Sequence, residues 1–162
     1  VCDLTEGSIE LDFGRCQTCV VPPEFPRPLS ESERDVLTAL LSFDFRGAAK
    51  LREQVPNVQV IGMCGCGCPT IVMSVIDAPR APKKRVSLPL PNDFQSLGSD
   101  PGAPPGCIML FTRDGFLSGM EYYTADGEIP TRWPSPTDIK IDESSFQLPR
   151  SSKFRRRRRL FK

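Results

Sequence analysis

"CIMLFTRDGFLSGMEYY", Cys107 to Tyr123, decides how the fold is read. At its centre stands Asp114-Gly115, the pair that a two-residue type I′ turn demands, because both central positions of that turn need positive φ. Apolar and aromatic residues run for about six positions on either side, as strands do. The stretch therefore reads as an antiparallel hairpin.

Upstream, "NVQVIGMC" (57–64) and "PTIVMSVI" (69–76) are β-branched and apolar, and read as a second hairpin joined through "GCGC" (65–68). Before it, "PLSESERDVLTALLSFDF" carries a helix start, with Ser30 and Glu33 spaced as a capping box. Val36, Leu37, Leu40 and Leu41 follow at helical spacing and form one apolar stripe. "DFRGAAKLREQVP" reads as a second, shorter helix that buries Ala48, Leu51 and Val55 and ends at Pro56. Gly47 marks a break between the two helices. Downstream, "TDIKID" offers one last short strand, with Ile139 and Ile141 on one side.

Runs of helix followed by runs of strand define an α+β fold. We expect an N-terminal helical pair packed on a four-stranded antiparallel sheet of two hairpins, with disordered ends. Residues 27–142 form the expected domain, with a proline-rich loop at 79–105 holding seven of the 17 prolines. Residues 1–26 are expected to be a disordered or non-native extension, and 143–162 a disordered basic tail.

The formal net charge of +1 hides an asymmetry. "KFRRRRRLFK", 153–162, carries +7, which leaves −6 on the remainder. Through Arg155–Arg159 the tail offers contact with nucleic acid or another anionic surface, of a salt-sensitive and sequence-independent kind. Blocks of like charge also repel and stay solvated. No apolar run approaches the ~18 residues of a membrane span, and the N-terminus has no apolar signal core. The protein is expected to be cytoplasmic, with its seven cysteines as thiols or metal ligands, not disulfides. The chain contains no histidine, which excludes Ser-His-Asp and Cys-His catalytic pairs and any imidazole ligand within it.

The chemistry concentrates in "MCGCGCPT", 63–70, where Cys64, Cys66 and Cys68 alternate with Gly65 and Gly67. In an extended strand alternate side chains share a face, so three thiols would project together. Glycine lets the backbone bend until they converge. A Cys-only zinc site needs a fourth thiolate. Cys16 and Cys19, spaced C-x-x-C, supply a familiar half-site, and Cys107 on the other hairpin is a further candidate. Redox or thiol chemistry is a second use of such a cluster, and so is soft-metal binding of the Cu(I) type. The same residues also suit a tight turn in which cysteine packs as a small hydrophobe. Tyr122, Tyr123 and Trp133 either make a binding surface near the sheet end or cover the end of the core.

"RPLSESERDVLTALLSFDFRGAAKLREQVPNVQVIGMCGCGCPTIVMSV" and "LFTRDGFLSGMEYYTADGEIPTRWPSP" together resemble an uncharacterised actinobacterial family of small proteins, a domain of unknown function. The similarity covers about residues 27–136, and its most specific pieces are "GMCGCGCPT" and "DGFLSGMEYY". The resemblance implies a bacterial, cytoplasmic protein and carries no activity with it. Three functions follow from these readings. The first is a non-enzymatic module that binds a protein partner. The second is a structural zinc domain built on Cys64, Cys66 and Cys68 with Cys16 and Cys19. The third is a cysteine-dependent enzyme, whose thiolate would need a cation or a helix N-terminus for activation.

Overall fold

A computed structural model of the protein describes residues 19–82, 94–124 and 126–141. Within them, Ser30 caps the first helix as its spacing predicts: its hydroxyl accepts from the Glu33 amide at 3.3 Å, and the Glu33 carboxylate accepts from the Ser30 amide at 2.7 Å. Helix α1 then runs Glu31–Ser42 and buries Val36, Leu37, Leu40 and Leu41 almost completely. Helix α2, Ala48–Gln54, starts after Gly47 at φ 99° and gives way to a short 3-10 turn, Val55–Asn57, which contains Pro56.

Glu33 does more than cap. Both its oxygens meet the Arg27 guanidinium at 2.7 Å, and Arg27 lies in a two-residue strand ahead of the helix. Burial pushes the Glu33 carboxyl up, but hydrogen bonds from Arg27 and Ser30 outweigh it and hold it below its usual range.

The sheet is antiparallel throughout. Its strands are β1 (Cys19–Val20), β2 (Arg27–Pro28), β3 (Val58–Cys64), β4 (Ile71–Val75), β5 (Phe94–Ser96), β6 (Gly106–Arg113), β7 (Phe116–Tyr123) and β8 (Ile139–Ile141). The order is β1-β3-β4-β7-β6-β5-β8, with β2 also paired to β3. The two expected hairpins, β3–β4 and β6–β7, form its centre. Asp114 and Gly115 both have positive φ, 55° and 85°, as a type I′ turn requires. The expected count of four strands is corrected to eight among the described residues, because four strands of only two or three residues extend the edges. The sheet takes in Cys19 and Val20, upstream of the boundary expected at Arg27. The expectations for residues 1–18, for 83–93 of the proline-rich loop and for the tail beyond Ile141 lie outside the described residues.

Both helices cover one face of the sheet. Their stripe joins Val58, Val60, Ile71, Met73, Ile108, Leu110, Leu117 and Met120 in a single core. Each such side chain contributes about 1.5–3 kcal/mol by leaving water. Tyr122 and Trp133 close one end, with ring centroids 6.0 Å apart and planes 15° from parallel, and the Tyr122 hydroxyl donates to the Pro104 carbonyl. Both rings are buried, so the core-covering reading of these two aromatics holds over the binding-surface reading.

A bulge in β3 then decides where the cysteines go. Val60 pairs with Met73 and Gly62 with Val72, which leaves Ile61 as the extra residue. Met73 and Ile71 belong to the core, and Val72 between them faces the other way. Past the bulge, therefore, Gly62 and Cys64 fall on the face away from the helices. Cys64 and Cys68 are accordingly buried without being part of the helix-covered core.

Candidate metal centre

Strand β3 stops at Cys64, and Gly65–Pro69 form a turn before β4 begins at Ile71. The loop is closed at its base, where the Cys64 amide donates to the Thr70 carbonyl at 3.0 Å. Thr70 is buried, and its hydroxyl accepts from the Tyr122 amide at 3.2 Å, which fastens the base of the turn to β7. Gly67 takes φ 91°, a conformation that L side chains rarely adopt, so the second glycine of the motif is the one the turn demands.

The three sulfurs do converge, all lying within 4.8 Å of one another. They do so by a different route from strand alternation. Because the chain turns at Gly65, the sulfurs gather around a bend and differ in exposure: Cys64 and Cys68 are buried, and Cys66 is exposed. The Cys64 and Cys66 sulfurs are 3.1 Å apart, and the Cys66 amide points at the Cys64 sulfur at 3.4 Å. Burial pushes the Cys68 thiol up, hydrogen bonds from Thr70 oppose that, and neighbouring Cys66 adds to the rise.

One expectation is overturned. Cys64 is disulfide-bonded, whereas Cys66, Cys68 and Cys107 remain thiols. Sequence reading disfavours disulfides on compartment grounds, with the odd cysteine count in weak agreement, but a disulfide depends on which backbones lie side by side. In the antiparallel register of β1 and β3 the backbone of Cys19 stands directly opposite Cys64. Thus Cys19, one of the two expected C-x-x-C ligands, is brought by its backbone to the cluster. Cys16, the other, lies outside the described residues.

Cys107 does not join. It sits on β6, paired to Tyr123 of β7 and Gln95 of β5. Strand β6 is separated from β3 by β4 and β7, three steps of about 4.8 Å each. That span is too long for a shared metal.

A cysteine trio of this kind can hold a metal ion only while all three sulfurs are thiolates. Zn–S bonds of about 2.3 Å at tetrahedral angles set S···S near ~3.8 Å, so the 3.1 Å pair must open by roughly 0.7 Å. That is a small rearrangement for an exposed side chain such as Cys66. Among the described residues no helix is long and apolar enough to cross a membrane. Compared with known proteins, the chain matches no family model, no curated protein and no solved structure.

Proposed function

We propose that this chain is a small α+β metal-thiolate domain. Cys64, Cys66 and Cys68, when reduced, together hold one thiophilic cation at the β3–β4 tip, zinc in the first place. The observation that carries the reading is the convergence of three sulfurs within 4.8 Å on one short turn. The turn is fastened to β7 through Thr70, so the ligands are held close before any ion arrives. Cys19 is the proposed fourth ligand, on the ground that its backbone pairs with Cys64. Cu(I), which soft thiolates also select, is the competing ion.

Binding a protein partner is compatible with this reading, because a metal would stiffen the tip that such a partner meets. The cysteine site has named residues, and the partner does not. Membership in the actinobacterial family of unknown function is proposed on "GMCGCGCPT" and "DGFLSGMEYY".

The test is metal content by mass spectrometry of full-length protein purified under reducing conditions. About one zinc per chain is expected, with near none in Cys66→Ser and no change in Cys107→Ser. A reduced wild type without metal, or a Cys66→Ser variant that keeps its metal, defeats the proposal.

A further inference from the structure

The tip carries a second chemistry that needs no metal. A disulfide at Cys64 stands beside a thiol at Cys66, with the two sulfurs 3.1 Å apart. That is already closer than ordinary contact between two sulfurs, and thiol–disulfide exchange begins with such an approach. The Cys66 amide, 3.4 Å from the same sulfur, holds the approach in place. Cys66 is exposed, so a thiol from outside reaches it, whereas Cys64 and Cys68 are covered. Gly65 and Gly67 flank Cys66 and give its backbone the freedom to close on Cys64.

We propose that the tip is a thiol–disulfide exchange site in which Cys66 is the attacking thiol and the Cys64 disulfide its target, with low-molecular-weight thiols and exposed protein thiols as the external substrates. In the internal step Cys66 gives up its proton, and its thiolate attacks the Cys64 sulfur. The bond between Cys64 and its present partner breaks, and the electron pair leaves on the partner's sulfur. That sulfur takes up a proton, and a Cys64–Cys66 disulfide has formed with no net oxidation. An external thiol then attacks the exposed Cys66 sulfur, gives a mixed disulfide with Cys66, and releases Cys64 as a thiol. A second external thiol resolves the mixed disulfide. Two external thiols are thereby oxidised to a disulfide, and the protein disulfide is reduced by the same two electrons. Cys66 serves as the gate through which a buried disulfide communicates with solvent.

This inference does not rest on metal binding, and its test uses oxidised full-length protein kept with a chelator. Wild type and Cys66→Ser are incubated with reduced glutathione, quenched with acid at intervals, alkylated and mapped by peptide mass spectrometry. In wild type, Cys64 is expected in two pairings, one with its original partner and one with Cys66. Cys19, whose backbone is paired with Cys64, is the expected original partner. Release of Cys64 as a thiol is expected to slow at least about tenfold in Cys66→Ser, since only the direct attack on a covered disulfide remains. Cys107→Ser, on β6 and away from the tip, is expected to keep the wild-type rate. A single pairing of Cys64 in wild type together with equal rates in wild type and Cys66→Ser overturns the proposal. Recovery of Cys64 as a thiol from the untreated protein overturns it as well.

Discussion

Replacing Gln54 tests how the helical layer is locked to the sheet. This residue ends α2 and has no exposed surface. Its amide nitrogen donates to the carbonyls of Pro79 and Gly115, each at 2.8 Å, and its oxygen accepts from the Leu117 amide at 2.9 Å. One side chain thus holds the turn of the β6–β7 hairpin and the segment that follows β4. In Gln54→Leu all three bonds go, and the consequences differ by partner. The Gly115 carbonyl still accepts from the Ala81 amide at 2.9 Å, and Pro79 is exposed, so its carbonyl recovers water. The Leu117 amide is left buried and unpaired, which alone costs about 1–3 kcal/mol. With the two other lost bonds, the expected loss is about 2–4 kcal/mol, against a total stability of roughly 5–15 kcal/mol for a domain. Gln54→Glu sharpens the test. Its carboxylate would keep the Leu117 amide but turn its other oxygen toward two carbonyl oxygens, so burial and repulsion favour the protonated form. The folded-state pKa is then raised above its unfolded value of about 4.3, and the variant's stability relative to wild type is retained below that pH and lost as pH rises through the folded pKa. Urea denaturation at pH 4.5 and 7.5 measures both effects. At m of about 2 kcal/mol/M, the middle of the usual range in urea, the Gln54→Leu midpoint is expected to fall by about 1–2 M. A midpoint within about 0.3 M of wild type at unchanged m, or a Gln54→Glu deficit that does not grow with pH, refutes the reasoning.

Two further predictions concern the helix start and the turns. Glu33→Gln breaks the paired contact with Arg27 and is expected to lower stability by about 1–3 kcal/mol near neutrality. Because the Glu33 carboxyl is held low in the fold, its contribution is present above the unfolded pKa and vanishes as pH falls through the folded one. Urea midpoints of wild type and variant should therefore converge in acid. Gly115→Ala and Gly67→Ala both strain a positive φ but differ in space. A Cβ at Gly115 would strike the Ala81 carbonyl oxygen, whereas one at Gly67 meets nothing within 4 Å. Thermal melts should show the first losing about 2–4 kcal/mol and the second only about 1 kcal/mol.

The parts of this fold that are legible in sequence are the ones coded locally. Ser30 and Glu33, the Leu40/Leu41 stripe, Gly47 and Asp114-Gly115 each state their structure within a few residues, and each is found as read. Strands β1, β2, β5 and β8 are two or three residues long, too short for a period of two to appear. Gln54 reads as an exposed polar position on a helix, since its three partners lie 25 to 63 residues away. The cysteine cluster was legible as residues but not as geometry. The alternation argument assumes a strand through Cys68, and the turn after Cys64 replaces it. The bulge at Ile61 moves Cys64 to the outer face, and nothing in the residues 58–64 announces it. The backbone pairing of Cys19 with Cys64 follows from tertiary register, which no local spacing encodes.

The tip gathers sulfur chemistry where the fold is well anchored. Cys64 is bonded through its amide to Thr70, Thr70 accepts from Tyr122, and Tyr122 stacks on Trp133 at the end of the core. The base of the turn is thus tied to the end of the core through groups other than the sulfurs. A preorganised base lowers the ordering cost of gathering the sulfurs, both for an incoming ion and for one thiol attacking another sulfur. Metal binding and the disulfide nevertheless compete for one atom, because the Cys64 sulfur cannot be a thiolate ligand and half of a disulfide at once. On the proposed reading, reduction of Cys64 opens the metal site and its oxidation closes it. In the proposed exchange Cys66, exposed and 3.1 Å from the contested sulfur, is the residue through which that choice is made.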